Sequence, residues 1–290
     1  MIRRPPGYTQ SGSSAASDVY KIQYIYTGAV GKLLPVFYCV GKETHAGDPF
    51  SGLNPNLLTA KIIEEIELNP DLSDVSASFR TPAPVCLKQS DTKNSYSVST
   101  PAAAYSYFNF ITVTSSPDEV LNKLMGISKK TFEEVLHNIE NKADRLQALT
   151  GSKPKLPSIK PMVITFRELY KMCLEVGEKE FDEHMESFVK KSPESDLREL
   201  SVDIVREAHK FCPYRDPMIV LFLAPPYYPH SGTSGQNGKI AEITEKIIKK
   251  ANSKYGENLS PEPFFPGLSD MSYLGPVSYT HLTLPTIYSV

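Results

Sequence analysis

The chain has 290 residues, in which 31 Lys and Arg nearly balance 33 Asp and Glu, for a formal charge of −2. This balance argues against partners held by bulk charge, such as nucleic acid or an anionic membrane surface, because proteins that bind them usually carry an excess of basic residues. Hydrophobic residues make up 40% of the chain, which can fill a core and argues against general disorder. The longest apolar run, residues 218–226, is far shorter than the ~20 residues that span a bilayer. We therefore expect a cytoplasmic protein, whose four widely spaced cysteines are reduced thiols.

The two ends differ in composition from the middle. Residues 1–23 are mostly small and polar without regular alternation, which predicts a poorly ordered lead-in. Residues 276–290 match no neighbouring element, and the stretch SYTHLTLPTIYSV resembles a translated adapter sequence. Such a stretch is excluded from fold reasoning, so we expect a non-native tail there and a natural protein that continues beyond about Leu274.

The first half of the middle region alternates between strand and helix patterns. The apolar run KLLPVFYCV, residues 32–40, predicts a strand. Residues 54–68 predict a helix capped by Asn54, because apolar residues recur there four positions apart. Residues 84–89 and 96–113 predict two further strands joined by the polar turn SDTKNS.

The second half begins with a long helix, predicted to start at Ser116 and to run to residue 149. A helical section follows, at about residues 152–212, whose best segments are residues 166–176, 179–190 and 194–211. The run MIVLFLA, residues 218–224, predicts a strand that ends at two prolines, and residues 239–251 predict an amphipathic helix.

Without the helical section, the predicted order is strand, helix, strand, strand, helix, strand. This is the split β-α-β order of a ferredoxin-like sandwich, so the predicted fold class is α+β. The same fold carries many unrelated activities, and the order of elements alone predicts none of them.

A search for complete catalytic sets finds no HxD pair, HExxH, GxSxG or Walker loop. The glycine-rich residues 232–238 precede a helix. They could form a phosphate-binding loop or a flexible surface loop, and the second interpretation is favoured. The acid pairs at 64–65 and 133–134 lie inside amphipathic helices, where adjacent side chains diverge and a solvated face is the simpler interpretation.

Two histidines follow predicted strands. His230 comes after PPYYP, where either a site or an ordinary loop histidine fits. His45 lies in a glycine-rich loop between a strand and a capped helix, and such anchored loops often carry function. A histidine there can donate a hydrogen bond to a developing oxyanion, although spacing alone leaves a plain loop residue equally open.

The loop itself carries a resemblance. GKETHAGDPFSGLN, residues 41–54, is similar to the G-x-x-[ST]-H-A-G-x-P-x-x-G-x-N segment of the zinc-dependent aminoacylase and exopeptidase family. That family includes acetylornithine deacetylase, succinyl-diaminopimelate desuccinylase and carboxypeptidase G. Residues 24–38, 221–230 and 264–274 resemble one branch of it, the RocB-like arginine-utilisation proteins. The resemblance covers about residues 24–274.

The resemblance implies a zinc-binding catalytic α/β domain interrupted by a ferredoxin-like lid or dimerisation domain. Residues 24–226 would form the lid with its helical insertion, and residues 227–275 a C-terminal piece of the catalytic domain. It assigns to His45 the catalytic histidine of the lid, which steadies the tetrahedral intermediate, often in the partner subunit of a homodimer. It assigns substrate-binding positions to His45, Asn54 and Asp270. The implied substrate is a small peptide or an N-acyl amino acid.

One departure from the family is large. The family's zinc ligands and glutamate base lie upstream of the lid and downstream of the loop matched by Asp270, and this chain has no counterpart of them. The sequence therefore predicts a fragment of a metal-dependent hydrolase of amino-acid, specifically arginine, catabolism. Zinc would belong to the full-length enzyme, and we expect no metal and no turnover in this chain alone. The alternative is a non-catalytic ferredoxin-like module for dimerisation or interaction.

Overall fold

The computed structural model describes residues 22–76, 79–232 and 238–265. Its strands are β1 (Ile22–Tyr26), β2 (Gly31–Val40), β3 (Val75–Ser76), β4 (Phe79–Arg80), β5 (Val85–Asp91), β6 (Ala103–Thr112), β7 (Met162–Thr165), β8 (Met218–Tyr228) and β9 (Asn258–Glu262). Its α-helices are α1 (Pro55–Ile66), α2 (Pro117–Thr150), α3 (Phe166–Lys191), α4 (Leu197–His209) and α5 (Gly238–Tyr255).

The largest sheet contains five strands in the order β5-β6-β2-β8-β7. Its first four strands pair antiparallel, whereas β7 pairs parallel to β8. Leaving out the segment between α2 and β8, the chain passes through β2, α1, β5, β6, α2 and β8, apart from the short pair β3–β4 that follows α1. The predicted α+β class is confirmed, with strands and helices in the predicted order.

Strand β2 lies at the centre of this sheet and has apolar side chains on both faces. Leu34, Val36 and Tyr38 point into one core, whereas Phe37 and Cys39 point into the other. Because side chains alternate along a strand, a continuous apolar run such as this one is typical of a strand covered on both sides. The sequence of β2 therefore requires helices on both faces of the sheet.

Helices α1 and α2 cover one face. Asn54 caps α1, and a capping box formed by Ser116 and Glu119 begins α2. Helix α2 ends at Gly151, whose φ of 76° is left-handed and favours glycine. These contacts confirm the two helices predicted on this face and explain where they begin and end.

Helices α3 and α4, the predicted helical section, cover the other face. Phe181 and Met185 of α3 and Ile204 of α4 are fully buried against the sheet. The predicted segments 166–176 and 179–190 belong to one helix that is kinked at Glu178, which has a φ of 44°. The section is thus an integral layer of the structure.

Two predictions about strands were wrong, and one strand of the large sheet was missed. Residues 96–102 do not belong to β6, since this segment pairs instead with the loop after β2. Strand β8 does not end at Pro225-Pro226, since it continues through these prolines to Tyr228. Strand β7 was not predicted: its four residues directly follow a proline- and lysine-rich stretch, and they pair with β8.

A smaller unit contains β1, β9 and α5. Strands β1 and β9 pair parallel, and neither strand was predicted. Backbone hydrogen bonds of Ala29 with Ser231 and of Gly28 with Phe265 join this unit to the larger sheet. Across the described ranges, none of the helices is long and apolar enough to cross a membrane.

Candidate functional site

His45 lies in the loop between β2 and α1, at the end of the central strand, and its side chain is exposed. The loop is closed at its base by two backbone hydrogen bonds of 2.9 Å between Lys42 and Leu53. His45 stands inside this closed loop, and Asn54 is the first residue after it. The motif predicted to carry function is therefore a compact loop anchored on β2 and α1.

A second segment of the chain holds the backbone around His45. The amide of Ala46 donates to the carbonyl of Val98, and the amide of Thr100 donates to the carbonyl of Thr44, each at 2.9 Å. His45 itself forms an isolated β-bridge with Ser99. The histidine thus belongs to a short two-stranded ribbon, even though its side chain faces solvent.

Side-chain hydroxyls fill the interior of the loop. Thr44 is buried, and its hydroxyl donates to the carbonyl of Asp48 at 2.6 Å and contacts the hydroxyl of Ser51 at 2.5 Å. The glycine at position 52 is required by a close approach, because a Cβ there would lie 2.3 Å from the carbonyl oxygen of Lys42. The spacing of small and hydroxyl residues in the motif therefore serves the geometry of the loop.

The ring of His45 is oriented by the backbone. The amide of Gly47 donates to its Nδ1 at 3.0 Å. Because Nδ1 accepts this bond, the neutral imidazole carries its proton on Nε2. In the neutral ring the hydrogen-bond donor is therefore Nε2, and such a donor can stabilise an oxyanion.

Asn54 has a structural role in this loop. Its Oδ1 accepts the amide of Asn56 at 3.0 Å and so caps α1, as predicted from its position before Pro55. The side chain is half-buried, and the cap leaves its Nδ2 group for other contacts. Of the candidate residues, His45 and Asn54 occur on one loop, whereas Asp270 lies outside the described residues.

His230 is placed at the opposite end of the sheet. Its Nδ1 lies 3.3 Å from the hydroxyl of Thr112, close to the start of β2, whereas His45 follows the end of β2. A ten-residue strand separates the two positions by about 30 Å. Burial lowers the pKa of His230, although Asp74 partly opposes that effect. His230 is therefore no part of the candidate site.

Among the described residues, the other motifs offer no assembled chemistry. Lys61 forms ion pairs with Glu64 and Glu65 on the surface of α1, as expected for a solvated face. The glycine-rich loop falls largely on residues 233–237, which lie outside the described residues. The part of the chain that the structure describes contains no group of three or more His, Cys, Asp or Glu that could hold a metal ion.

Sequence reasoning missed three polar residues near the site: Asn56, Asp91 and Lys93. They are joined by hydrogen bonds, and Lys93 reaches the segment that pairs with His45. The signal available in the sequence was the polar turn SDTKNS, which we interpreted only as a connection between strands.

The chain is similar in sequence to several known proteins that are longer than it. It is 36% identical to the uncharacterized protein YqjN of Bacillus subtilis over 253 residues, and 28% identical to the RocB protein of the same organism over 261 residues. It is also 29% identical to the succinyl-diaminopimelate desuccinylase of Orientia tsutsugamushi over 142 residues.

These alignments cover 87%, 89% and 49% of this chain, respectively. The chain spans about half the length of YqjN and RocB, 46% of each, and 33% of the desuccinylase. No family model matches the chain. The motif around His45 predicted similarity to a desuccinylase, and residues 24–38, 221–230 and 264–274 predicted similarity to RocB. Both similarities are thereby confirmed over this part of their length.

Proposed function

We propose that this chain is part of a hydrolase of the aminoacylase and exopeptidase family that cleaves an amide or peptide bond. The substrate class is a small peptide or an N-acyl amino acid, handled in the cytoplasm during amino-acid catabolism, including that of arginine. The observation that carries the proposal is the Nε2–H donor of His45. Its tautomer is set by Gly47 within a motif that resembles the family's, in a chain similar to RocB and to a desuccinylase.

His45 would act on the charge that develops during hydrolysis. When water adds to an amide carbonyl, the carbonyl oxygen becomes an oxyanion, and a prearranged hydrogen-bond donor lowers the energy of that state. The ribbon formed by residues 44–46 and 98–100 restricts the backbone that carries His45, and the Gly47 amide restricts its ring. Little reorganisation would then be needed at the moment of reaction.

The fold supports the proposed role as a lid. The strand order β5-β6-β2-β8, with α1 and α2 on one face, is consistent with a ferredoxin-like sandwich and supports this part of the proposal. Strand β5 lies at one edge of the sheet, where a second copy of the chain could pair in the proposed homodimer. Asn54 and Asp270 would contact the substrate beside His45.

The zinc of the proposed enzyme does not fit the described residues, which lack a cluster of metal ligands. In the proposed enzyme, the zinc ligands and the glutamate base would come from polypeptide outside the described residues. What the chain itself would contribute is the oxyanion donor, the substrate contacts and the lid.

A chimera with a longer relative tests the proposal. The 253 aligned residues of YqjN would be replaced by their counterparts from this chain, and the zinc-loaded protein would be assayed for amine release from N-acetyl amino acids, N-succinyl amino acids and dipeptides. We expect hydrolysis of at least one class. We expect His45→Ala to lower kcat by about 10²–10³-fold, the usual cost of one oxyanion donor, without changing the zinc content.

The matched control is His137→Ala, which removes an exposed histidine of α2 and should leave kcat unchanged. Full kcat in the His45→Ala chimera would remove His45 from the mechanism. Absence of hydrolysis by both the zinc-loaded chimera and native YqjN across the whole panel would contradict the proposed activity.

A further inference from the structure

The segment that pairs with His45 is held by a lysine that folds back onto it. The ammonium of Lys93 donates to the carbonyl oxygens of Ser97 and Ser99, each at 2.6 Å. Lys93 is half-buried, whereas residues 94–98 between it and the ribbon are exposed. This lysine therefore closes the loop with two hydrogen bonds from an ammonium group, which are stronger than bonds between neutral groups.

The same lysine is linked to helix α1 through a carboxylate. The backbone amide of Lys93 donates to Oδ1 of Asp91 at 3.0 Å, and Nδ2 of Asn56 donates to Oδ2 of Asp91 at 3.2 Å. Asn56 is the residue whose amide is accepted by Asn54 in the helix cap. A continuous series of hydrogen bonds therefore leads from Asn54 to the segment paired with His45.

We propose that Asn56, Asp91 and Lys93 form a positioning relay that fixes His45 relative to Asn54. The catalytic meaning of this relay rests on the proposed function of His45, whereas its mechanical effect does not. Oxyanion donors act only when they are held within a fraction of an ångström of the required place. The side chain of His45 is exposed, and its backbone is paired with residues 98–100, which Lys93 holds in place.

Fixing a lysine costs side-chain entropy, and a solvent-exposed loop normally leaves its lysines hydrated. Lys93 instead donates to two carbonyls of its own loop, one of them in the residue bridged to His45. A turn that served only to connect β5 and β6 would not need these bonds. The contacts are therefore better explained by the demand for a fixed backbone at position 99.

The relay is tested by hydrogen exchange on the chain itself, without any enzymatic assay. Lys93→Met removes the ammonium but keeps an unbranched side chain that is only one atom shorter. We expect it to accelerate exchange of the Ala46 and Thr100 amides by about tenfold, because the ribbon opens once its loop is released. We expect Asp91→Ala to accelerate the same two amides, since it breaks the relay one step earlier.

Nitrogen NMR of the His45 ring at pH 8 supplies a second readout. In the unmodified chain the ring should show one tautomer, with the proton on Nε2, and in Lys93→Met a mixture of both. Lys93→Arg, which keeps a cationic donor, should restore both the slow exchange and the single tautomer. Lys129→Met, which changes an exposed lysine of α2, is the matched control and should behave like the unmodified chain.

Acceleration confined to residues 44–48 and 97–100, with the amides of β2 unchanged, would support the relay. Exchange within twofold of the control at Ala46 and Thr100, or equal acceleration throughout β2, would overturn it. None of these measurements requires turnover. The relay can therefore be contradicted while the proposed hydrolase activity holds, and it can be supported even if that activity is contradicted.

Discussion

The two faces of the five-stranded sheet are covered by helices from different parts of the chain. Helices α1 and α2 cover one face and belong to the alternating strand-and-helix order. Helices α3 and α4 cover the other face and come from the insertion between α2 and β8. Both cores contain fully buried phenylalanines, such as Phe108 on the first face and Phe181 on the second. The insertion is therefore as deeply packed as the layer that it faces across the sheet.

On each face a carboxylate anchors the helical layer, but the groups that it contacts differ. On the α1–α2 face, Asp74 accepts the backbone amides of Val113, Thr114 and Ser115, each at 2.8 Å, just before α2 begins. On the other face, Glu199 of α4 accepts the hydroxyl of Tyr105 at 2.7 Å and forms a 2.8 Å ion pair.

The cation in that ion pair is the ammonium of Lys88 on β5. Burial alone would lower the pKa of Lys88, but Glu199 and Tyr105 outweigh that effect and raise it. The first layer is thus anchored through backbone groups and the second through side chains.

With both faces covered, the ends of the sheet remain available for chemistry. One end carries the His45 loop and the segment paired with it, and the other carries the connections to the β1–β9 unit. The end that carries the exposed, oriented imidazole of His45 is the candidate site.

The largest expected effect tests whether the two faces unfold as one unit. Phe108→Ala and Phe181→Ala each empty a fully buried site, so each should lower the free energy of unfolding by about 3–5 kcal/mol. If the insertion is an integral layer, urea denaturation should show a single transition in both variants, and hydrogen exchange should accelerate on both faces.

Val176→Ala is the matched control for the insertion, since Val176 lies on the same helix as Phe181 but is 63% exposed. It should change the stability by no more than about 0.5 kcal/mol. A separate early transition in Phe181→Ala, confined to α3 and α4, would show that the insertion unfolds independently. The two helical layers would then not form one cooperative unit.

The sequence predicted the first face better than the second. Helix α2 could be located because Ser116, Pro117 and Glu119 form a local start signal, and the period of α1 depends on its own residues. The pairing of β7 with β8 and the return of residues 96–102 to the His45 loop depend on tertiary contacts that no local pattern encodes. The candidate site shows the same division. The sequence motif identified His45, whereas the contacts of Lys93 could be seen only in the folded loop.

A smaller effect, dependent on pH, is expected at Asp74. Burial alone would raise its pKa, but the amides of Ser115, Thr114 and Val113 outweigh that effect and hold the pKa well below its usual range. A carboxylate with a depressed pKa stabilises the folded state above the pKa of the unfolded chain, about 3.9, and loses that contribution as the pH falls. Asp74→Asn should therefore cost about 2 kcal/mol at pH 7, and progressively less as the pH is lowered from 4 to 2.

The check is urea denaturation of both proteins between pH 2 and pH 7. Asp71→Asn is the control, because Asp71 is an exposed acid three residues away, and it should change the stability by no more than about 0.5 kcal/mol across this range. A constant difference between Asp74→Asn and the unmodified chain at every pH would show that the anchor of the first face depends on shape and not on charge.

The smallest expected effect is a gain in stability on the α1–α2 face. The hydroxyl of Thr131, on α2, is buried and has no hydrogen-bond partner among the described residues, whereas the equally buried hydroxyl of Ser128 donates to Leu124 at 2.9 Å. Thr131→Val keeps the shape and removes the unpaired group, so it should raise the free energy of unfolding by about 1 kcal/mol. Ser128→Ala, one turn earlier, removes a hydroxyl that is already paired and should give no gain. If the two variants respond equally to urea, the hydroxyl of Thr131 has a hydrogen-bond partner in solution. This buried group of the first face would then be paired, as the backbone anchor at Asp74 is.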